Sequence, residues 1–369
     1  MTGVQTCAFR STSAAVQSNV VYPAPGMSTR RFEYRAAPDK RSSLGISQTQ
    51  SSMRSLTVAA VQFSASPGET DRNLAEASRL VREAASKGAS LVVLPELTPC
   101  GYVLTEAIWD SAEPANGRSV AWLQDTARRH RIYLGMSYLE AEADHFFNTF
   151  VLAGPSGEIC GTVRKNPPAS AEAYFFATGS GPHFIDTPIG RVGVSICYEA
   201  LLYERLLGQH TDGVDLLVIP MSAGTPTPTF PIRQSDCVNY NEMLRGVAAH
   251  HARALGIPVV VANKCGPLVT AMPAGLPHQN TYFPGLSTIA DSDGVTRGQL
   301  GSESGIVVAE VTLDPERKVK CPPERHGRWA LKVPWFSFFF PLAAFFGSRV
   351  YAKSKLRAAR ARRVSSGDA

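Results

Sequence analysis

The chain has no apolar run long enough to cross a bilayer, which takes about 20 residues. Its longest, Val333–Phe346, has fourteen residues and is interrupted by Pro341. The N-terminus shows no basic segment, apolar segment and cleavage site in succession, which argues against secretion. Cysteine is sparse: seven residues, an odd number, with no C-x-x-C and no Cys/His cluster at zinc spacing. Neither a disulfide frame nor a bound metal is expected, and free thiols suit a cytoplasm-like compartment. Net positive charge is missing from the middle of the chain. Residues 1–54 carry seven Lys/Arg against two acids and 349–369 seven against one, so a net +6 overall leaves −5 for 55–348. An acidic body excludes the basic stripe of a nucleic-acid binder. There is also no internal repeat.

What is present is globular. Of 369 residues, 44% are hydrophobic and 18% charged, which excludes wholesale disorder, collagen and coiled coil. Residues 1–54, rich in Ser, Ala and Arg, read as a disordered extension. Its opening MTGVQTCAFR resembles translated sequencing adapter, which would place the true start at Met27 or Met53; an Arg- and Ser-rich transit peptide is the competing reading. From Leu56 on, the pattern is regular. Fully apolar strands (Leu56–Phe63, Ser90–Leu94, Val192–Ile196, Val214–Ile219, Ile257–Ala262) alternate with helical spacings (Thr70–Ala85, Ser119–His130, Ile232–Leu255). Hairpin signals, such as Gly154-Pro155-Ser156-Gly157, interrupt them. Mixed sheets covered by helices are expected over 55–320, with a separate tail over 321–369.

Three strand ends carry chemistry. Glu96 follows Leu91–Leu94 and Pro95, where a carboxylate at a sheet rim is suited to general-base work. Lys165 ends Ile159–Arg164. Cys197 ends Val192–Ile196 and precedes a helical segment, Glu199–Leu207, whose positive end would favour thiolate. Alone, each has a plain alternative: a solvated Glu, a solvated Lys, an inert buried thiol.

The order changes this reading. Leu94-Pro95-Glu96-Leu97-Thr98-Pro99-Cys100-Gly101-Tyr102, the stretch Asn148–Lys165, Gly193-Val194-Ser195-Ile196-Cys197-Tyr198-Glu199, Val259–Asn263 and Gly285–Gly294 resemble, in sequence order, motifs of the nitrilase superfamily of carbon–nitrogen hydrolases. The resemblance covers residues 56–313. It implies an α/β fold, an αββα sandwich, and cofactor-free attack by a cysteine on an amide-like or nitrile carbon. Carried over position by position, Cys197 is the nucleophile and Glu96 the base. Lys165, with the Tyr198 backbone N–H, stabilises the oxyanion, and Glu172 is the second glutamate that bonds the lysine. An ammonium beside the thiol should lower its pKa. The chain departs from the pattern after Lys165, where Asn166-Pro167-Pro168 replaces a His-Leu-like pair and leaves the path to Glu172 open.

Tyr102, Phe175 and Tyr198 are the expected pocket aromatics. The resemblance further implies a small amide, nitrile or N-carbamoyl substrate and a homodimer or larger homo-oligomer. Two rival readings stand beside hydrolysis. Cys197-Tyr198-Glu199 also resembles the N-acyltransferase branch, and a non-catalytic binder or scaffold is the third. In the tail, six phenylalanines and Trp335 between 334 and 346 adjoin the basic cluster Arg349–Arg363. That composition favours contact with an anionic membrane surface over simple packing. His250-His251 lacks metal-ligand partners, so no metal is assigned there.

Overall fold

Alternation of side chains decides the layers. The computed structural model describes residues 53–276 and 278–367. The disorder expected over 1–54, with Cys7 and Met27, lies outside the described residues apart from Met53 and Arg54. The chain begins with β1 (Arg54–Gln62), α1 (Thr70–Ser86), β2 (Leu91–Val93), α2 (Arg118–His130), β3 (Tyr133–Glu142), β4 (His145–Ala153) and β5 (Ile159–Arg164). It continues through β6 (Phe184–Thr187), β7 (Gly190–Val194), α3 (Tyr203–Thr211), β8 (Leu216–Pro220), α4 (Gln234–Leu255) and β9 (Val259–Ala262). Then come β10 (Cys265–Thr270), β11 (Gln279–Pro284), β12 (Thr288–Ala290), β13 (Thr296–Gln299) and β14 (Gly305–Leu313). Helices α5 (Phe340–Lys353) and α6 (Lys355–Ser366) end it.

Two six-stranded sheets form, in the orders β14-β1-β2-β3-β4-β5 and β13-β12-β9-β8-β7-β6. Both are mixed: β1, β2 and β3 are parallel, as are β7, β8 and β9, with antiparallel strands at the flanks. Successive residues of a strand face opposite ways, so Val58 and Ala60 point to one side of β1 and Ala59 and Val61 to the other. The first pair joins Val194, Val218 and Val260 of the second sheet in an apolar layer between the sheets. The second pair packs on Leu80 and Val81 of α1 and Leu123 of α2. On the far side, Leu217, Val259 and Val261 meet Leu244, Val247 and Ala248 of α4. The result is an αββα sandwich, with helices covering the outer face of each sheet.

Differences from the sequence reading are local. Strand β1 starts at Arg54, which pairs with Leu313. The hairpin β10–β11 and the strand β13 carry no apolar period and are absent from that reading. The segment after Ile196 is a short 3-10 turn, Cys197–Leu201, broken at Leu202 before α3 begins. The tail is helical and packed. Gly347 of α5 lies against Tyr174 and Ala173, close enough that an added Cβ would come within 2.6 Å of the tyrosine ring. The hydroxyl of Tyr351 accepts from the Phe146 N–H at 2.9 Å, and the Arg357 guanidinium is buried, bonding the carbonyls of Asp144 and Tyr351.

Candidate active site

The parallel strands end on the same side, and the residues just beyond their ends build the site. Beyond β2, the Glu96 N–H donates to the Met221 carbonyl at 3.2 Å, which ties the turn of one sheet to that of the other. Leu97, next in sequence, has a left-handed backbone with φ 49°. Glu96 is fully buried. Its Oε1 accepts from Lys165 Nζ at 2.6 Å and from Asn148 Nδ2 at 2.7 Å, and its Oε2 from the Ser222 N–H at 2.8 Å. The Asn148 amide is oriented in turn by Ser137 Oγ, which donates to its Oδ1 at 2.8 Å.

Lys165 leaves β5 through an N–H bond to the Asn148 carbonyl at 2.9 Å. Its Nζ reaches both oxygens of Glu172, at 3.0 and 2.7 Å. Glu172 lies in the 3-10 turn Ser170–Tyr174, where its Oε2 accepts from the Ala169 N–H and its Oε1 from Tyr102 Oη at 3.0 Å. Asn166-Pro167-Pro168 therefore still delivers Glu172 to Lys165. Burial alone would lower the Lys165 pKa, but the carboxylates of Glu172 and Glu96 outweigh it and hold the ammonium above its ordinary range. The Glu172 carboxyl is pushed up by burial, against the pull of Lys165.

Cys197 follows β7 with φ 53°, a left-handed conformation that costs a non-glycine residue of order 1–3 kcal/mol and is held by its surroundings. The surroundings centre on Glu199, buried, whose carboxylate accepts from the Ile196 N–H at 2.6 Å and the Asn166 N–H at 2.7 Å, with His183 Nε2 at 2.8 Å. One side chain thus pins the Cys197 turn to the loop leaving Lys165. Burial would raise the Glu199 pKa, but Arg205, His183 and the Asn166 N–H hold it below the usual carboxylate value.

The thiol does not behave as the sequence reading expects. Its pKa is raised well above the ordinary value, first by burial and then by Glu96, with Lys165 opposing and Glu172 adding. Two carboxylates face one ammonium, and the turn that starts at Cys197 is too short to carry much dipole. Burial and the two carboxylates thus favour the protonated thiol over the thiolate.

A cavity of about 210 Å³ opens over the sulfur, lined near it by Tyr102, Glu172, Tyr198 and Ser222. Tyr198 stands edge-on to Trp329 and Phe340, at ring separations of 6.1 and 5.8 Å. Phe175 is a correction: it is not among the lining residues. Its ring packs toward Trp109 at 6.0 Å within the core behind Glu172, and its carbonyl accepts from the Trp109 indole N–H. The structure adds residues that the sequence reading missed. Asn148 and Ser222 hold Glu96, Glu199 holds the cysteine turn, and Lys264 sits fully buried with its Nζ 3.2 Å from the Leu97 carbonyl. Asn148 and Glu199 lie within stretches quoted for the family resemblance, whereas Ser222 and Lys264 lie in none. Among the described residues no group of three or more His, Cys, Asp or Glu could hold a metal ion, and no helix is long and apolar enough to cross a membrane.

Comparison with known proteins places this arrangement. The carbon–nitrogen hydrolase family model matches residues 57–320. An N-carbamoylputrescine amidase of Solanum lycopersicum is 28% identical over 74% of this chain and 90% of its own. An omega-amidase of Xenopus laevis is 31% identical, covering 75% of this chain and 96% of its own. Among solved structures, a carbon–nitrogen hydrolase from Helicobacter pylori G27 superposes with a TM-score of 0.64 at 22% identity, over 72% of this chain and 91% of that one. An amidase from Nesterenkonia sp. does so at 0.58 and 22%, over 72% and 93%. The two solved structures share the fold, and the family match together with the omega-amidase likeness shows that the chain belongs to the carbon–nitrogen hydrolase family and is an enzyme.

Proposed function

We propose that the protein is a cysteine-dependent amidase that cleaves a small non-peptide C–N bond through a thioester on Cys197. The observation that carries this reading is the buried, hydrogen-bonded trio of Glu96, Lys165 and Glu172 beside a cysteine that faces a cavity. As the sulfur attacks the amide carbon, Glu96 takes the thiol proton. The oxygen gains negative charge, which the Lys165 ammonium and the Tyr198 backbone N–H stabilise. Collapse breaks the C–N bond, and the proton held by Glu96 leaves with the amine. Water then attacks the thioester, giving its proton to Glu96, and the carboxylic acid departs as the thiol re-forms. Glu172 and Tyr102 position Lys165; Asn148 and Ser222 position Glu96.

Amides and N-carbamoyl amines are the favoured substrates, in keeping with the names of the relatives; nitriles suit the same groups. An ammonia-release screen across primary amides, nitriles and N-carbamoyl amines tests this, together with mass mapping of iodoacetamide adducts. Ammonia release is expected, and it should be lost in step with alkylation of Cys197, because iodoacetamide is itself a small amide whose attack Glu96 can assist. Ammonia release that persists after Cys197 is alkylated would contradict the reading. Running the assay with an added amine separates hydrolysis from acyl transfer, since an N-acyl product would move the enzyme to the transferase class.

The outer face of the tail supports a second proposal, peripheral contact with an anionic membrane. Phe338, Phe339 and Phe346 are 65%, 56% and 52% exposed, and Lys353, Lys355, Arg362 and Arg363, which follow them in the chain, are exposed as well. Exposed aromatics next to basic residues fit a headgroup layer. The homo-oligomer that the resemblance implies is also a proposal, which light scattering checks.

A further inference from the structure

The cavity over Cys197 also narrows what is cleaved, an inference that rests on the amidase reading above. Away from the sulfur its wall is mostly hydrocarbon, from Leu104, Ile232, Leu244, Phe336 and Phe340, with the uncharged Thr270 and Gln279 among it. Glu172 is the one charged side chain among the described lining residues, and both its oxygens are engaged, by Lys165, Tyr102 and the Ala169 N–H. Nothing charged is left to pair with a carboxylate or ammonium at the far end of a substrate, and an unpaired charge in such surroundings is strongly disfavoured. Phe336 and Phe340 lie beyond residue 320, outside the stretch that the family model matches. They are fixed against the site: Phe340 packs on Tyr198, the neighbour of Cys197, and Phe336 tilts against Phe340 at 6.2 Å and Tyr240 at 5.9 Å.

We infer that the substrate is an uncharged amide whose acyl group is apolar, and that the aromatic tail is the wall that selects it. A primary amide loses only ammonia, so the acyl side must fill the cavity. An apolar cavity of about 150 Å³ holds benzene. The space here therefore suits a phenyl group or a chain of a few methylenes together with the reacting carboxamide. The wall rejects a monoamide of a dicarboxylic acid and an amide with a terminal ammonium equally, because it pairs with neither charge.

The test measures kcat/KM with the full chain by ammonia release, for acetamide, butanamide, hexanamide and phenylacetamide. Succinamate and 4-aminobutanamide are compared with pentanamide as the neutral amide of matched length. Each added methylene is expected to raise kcat/KM about fourfold until the cavity is full. The charged amides should fall at least about 100-fold below their neutral match. A charged amide equal to or better than pentanamide overturns the inference while leaving the amidase reading intact; no ammonia from any compound overturns both. Phe340→Lys places an ammonium in the wall. It should lower hexanamide and raise succinamate, each about tenfold, with iodoacetamide labelling of Cys197 retained. A uniform change across all amides would show that the wall does not select. Phe336→Leu, a milder change, should weaken phenylacetamide more than acetamide, and equal loss on both would contradict the proposal.

Discussion

Glu96 and Cys197 divide a problem that neither solves alone. Burial and the two carboxylates, against one ammonium, disfavour a standing thiolate, so in the proposed mechanism the proton moves as the substrate arrives, with Glu96 as its acceptor. Glu96→Gln keeps an acceptor for Lys165 and removes the base. It should cost about 10³-fold in kcat with little change in KM, read by ammonia release. Lys264 makes a different prediction. Burial lowers its pKa to about 8 from the ordinary 10.5. Between those values the unfolded chain binds a proton that the folded one does not, so stability rises with pH through that window, and below pH 8 a constant penalty remains. A shift of this size corresponds to about 3 kcal/mol, partly offset by the bond to the Leu97 carbonyl. Lys264→Met should therefore stabilise the protein by about 1–2 kcal/mol at pH 7. Denaturant melts should show that gain shrinking toward pH 10.5; a gain that grows with pH would contradict the assignment.

At the scale of elements, the strand ends explain what could be read in the sequence. Glu96 and Cys197 each close an apolar run and Lys165 ends a strand, so pattern located them and the resemblance to a family assigned their roles. Glu172 follows no strand and was visible only through that resemblance. Ser222 and Lys264 gave no local signal, because it is the packing of the two sheets that carries them to Glu96 and Leu97. The strands β10, β11 and β13 were missed for a related reason. Gly266 and Pro267 look like a turn, and Thr296–Gln299 is a polar edge strand with no buried face to impose alternation. Pro341 misled in the other direction. It reads as an interruption, yet it sits in the first turn of α5, where its missing N–H costs nothing. That helix bears directly on the site, because it packs on the turn that carries Glu172. Gly347→Val would drive a side chain into Tyr174 and the Ala173 backbone. It should destabilise the protein by about 1–3 kcal/mol and lower kcat/KM, measured by thermal melts alongside ammonia release. Unchanged activity would separate α5 from the site.

For the molecule as a whole, the sandwich brings the ends of two independent sheets to one place. Sequence could anticipate the layers from apolar strands alternating with amphipathic helices, but not that residues after 320 would close the cavity. The tail then has two faces, Phe336 and Phe340 inward and Phe338, Phe339 and Phe346 outward. Substituting the three outward phenylalanines by serine should abolish flotation with anionic liposomes while ammonia release stays within about twofold of wild type, because none of them lines the cavity. Flotation that is unchanged would remove the membrane proposal without touching the chemistry.

The chemistry stands or falls on one sulfur atom. The most direct measurement is the rate of ammonia release from the best amide substrate by Cys197→Ala, in a sample whose circular dichroism and melting match wild type. Loss of the nucleophile should lower the rate by at least about 10⁴-fold. A variant that keeps within tenfold of wild-type activity would show that the amide is cleaved without a bond to Cys197.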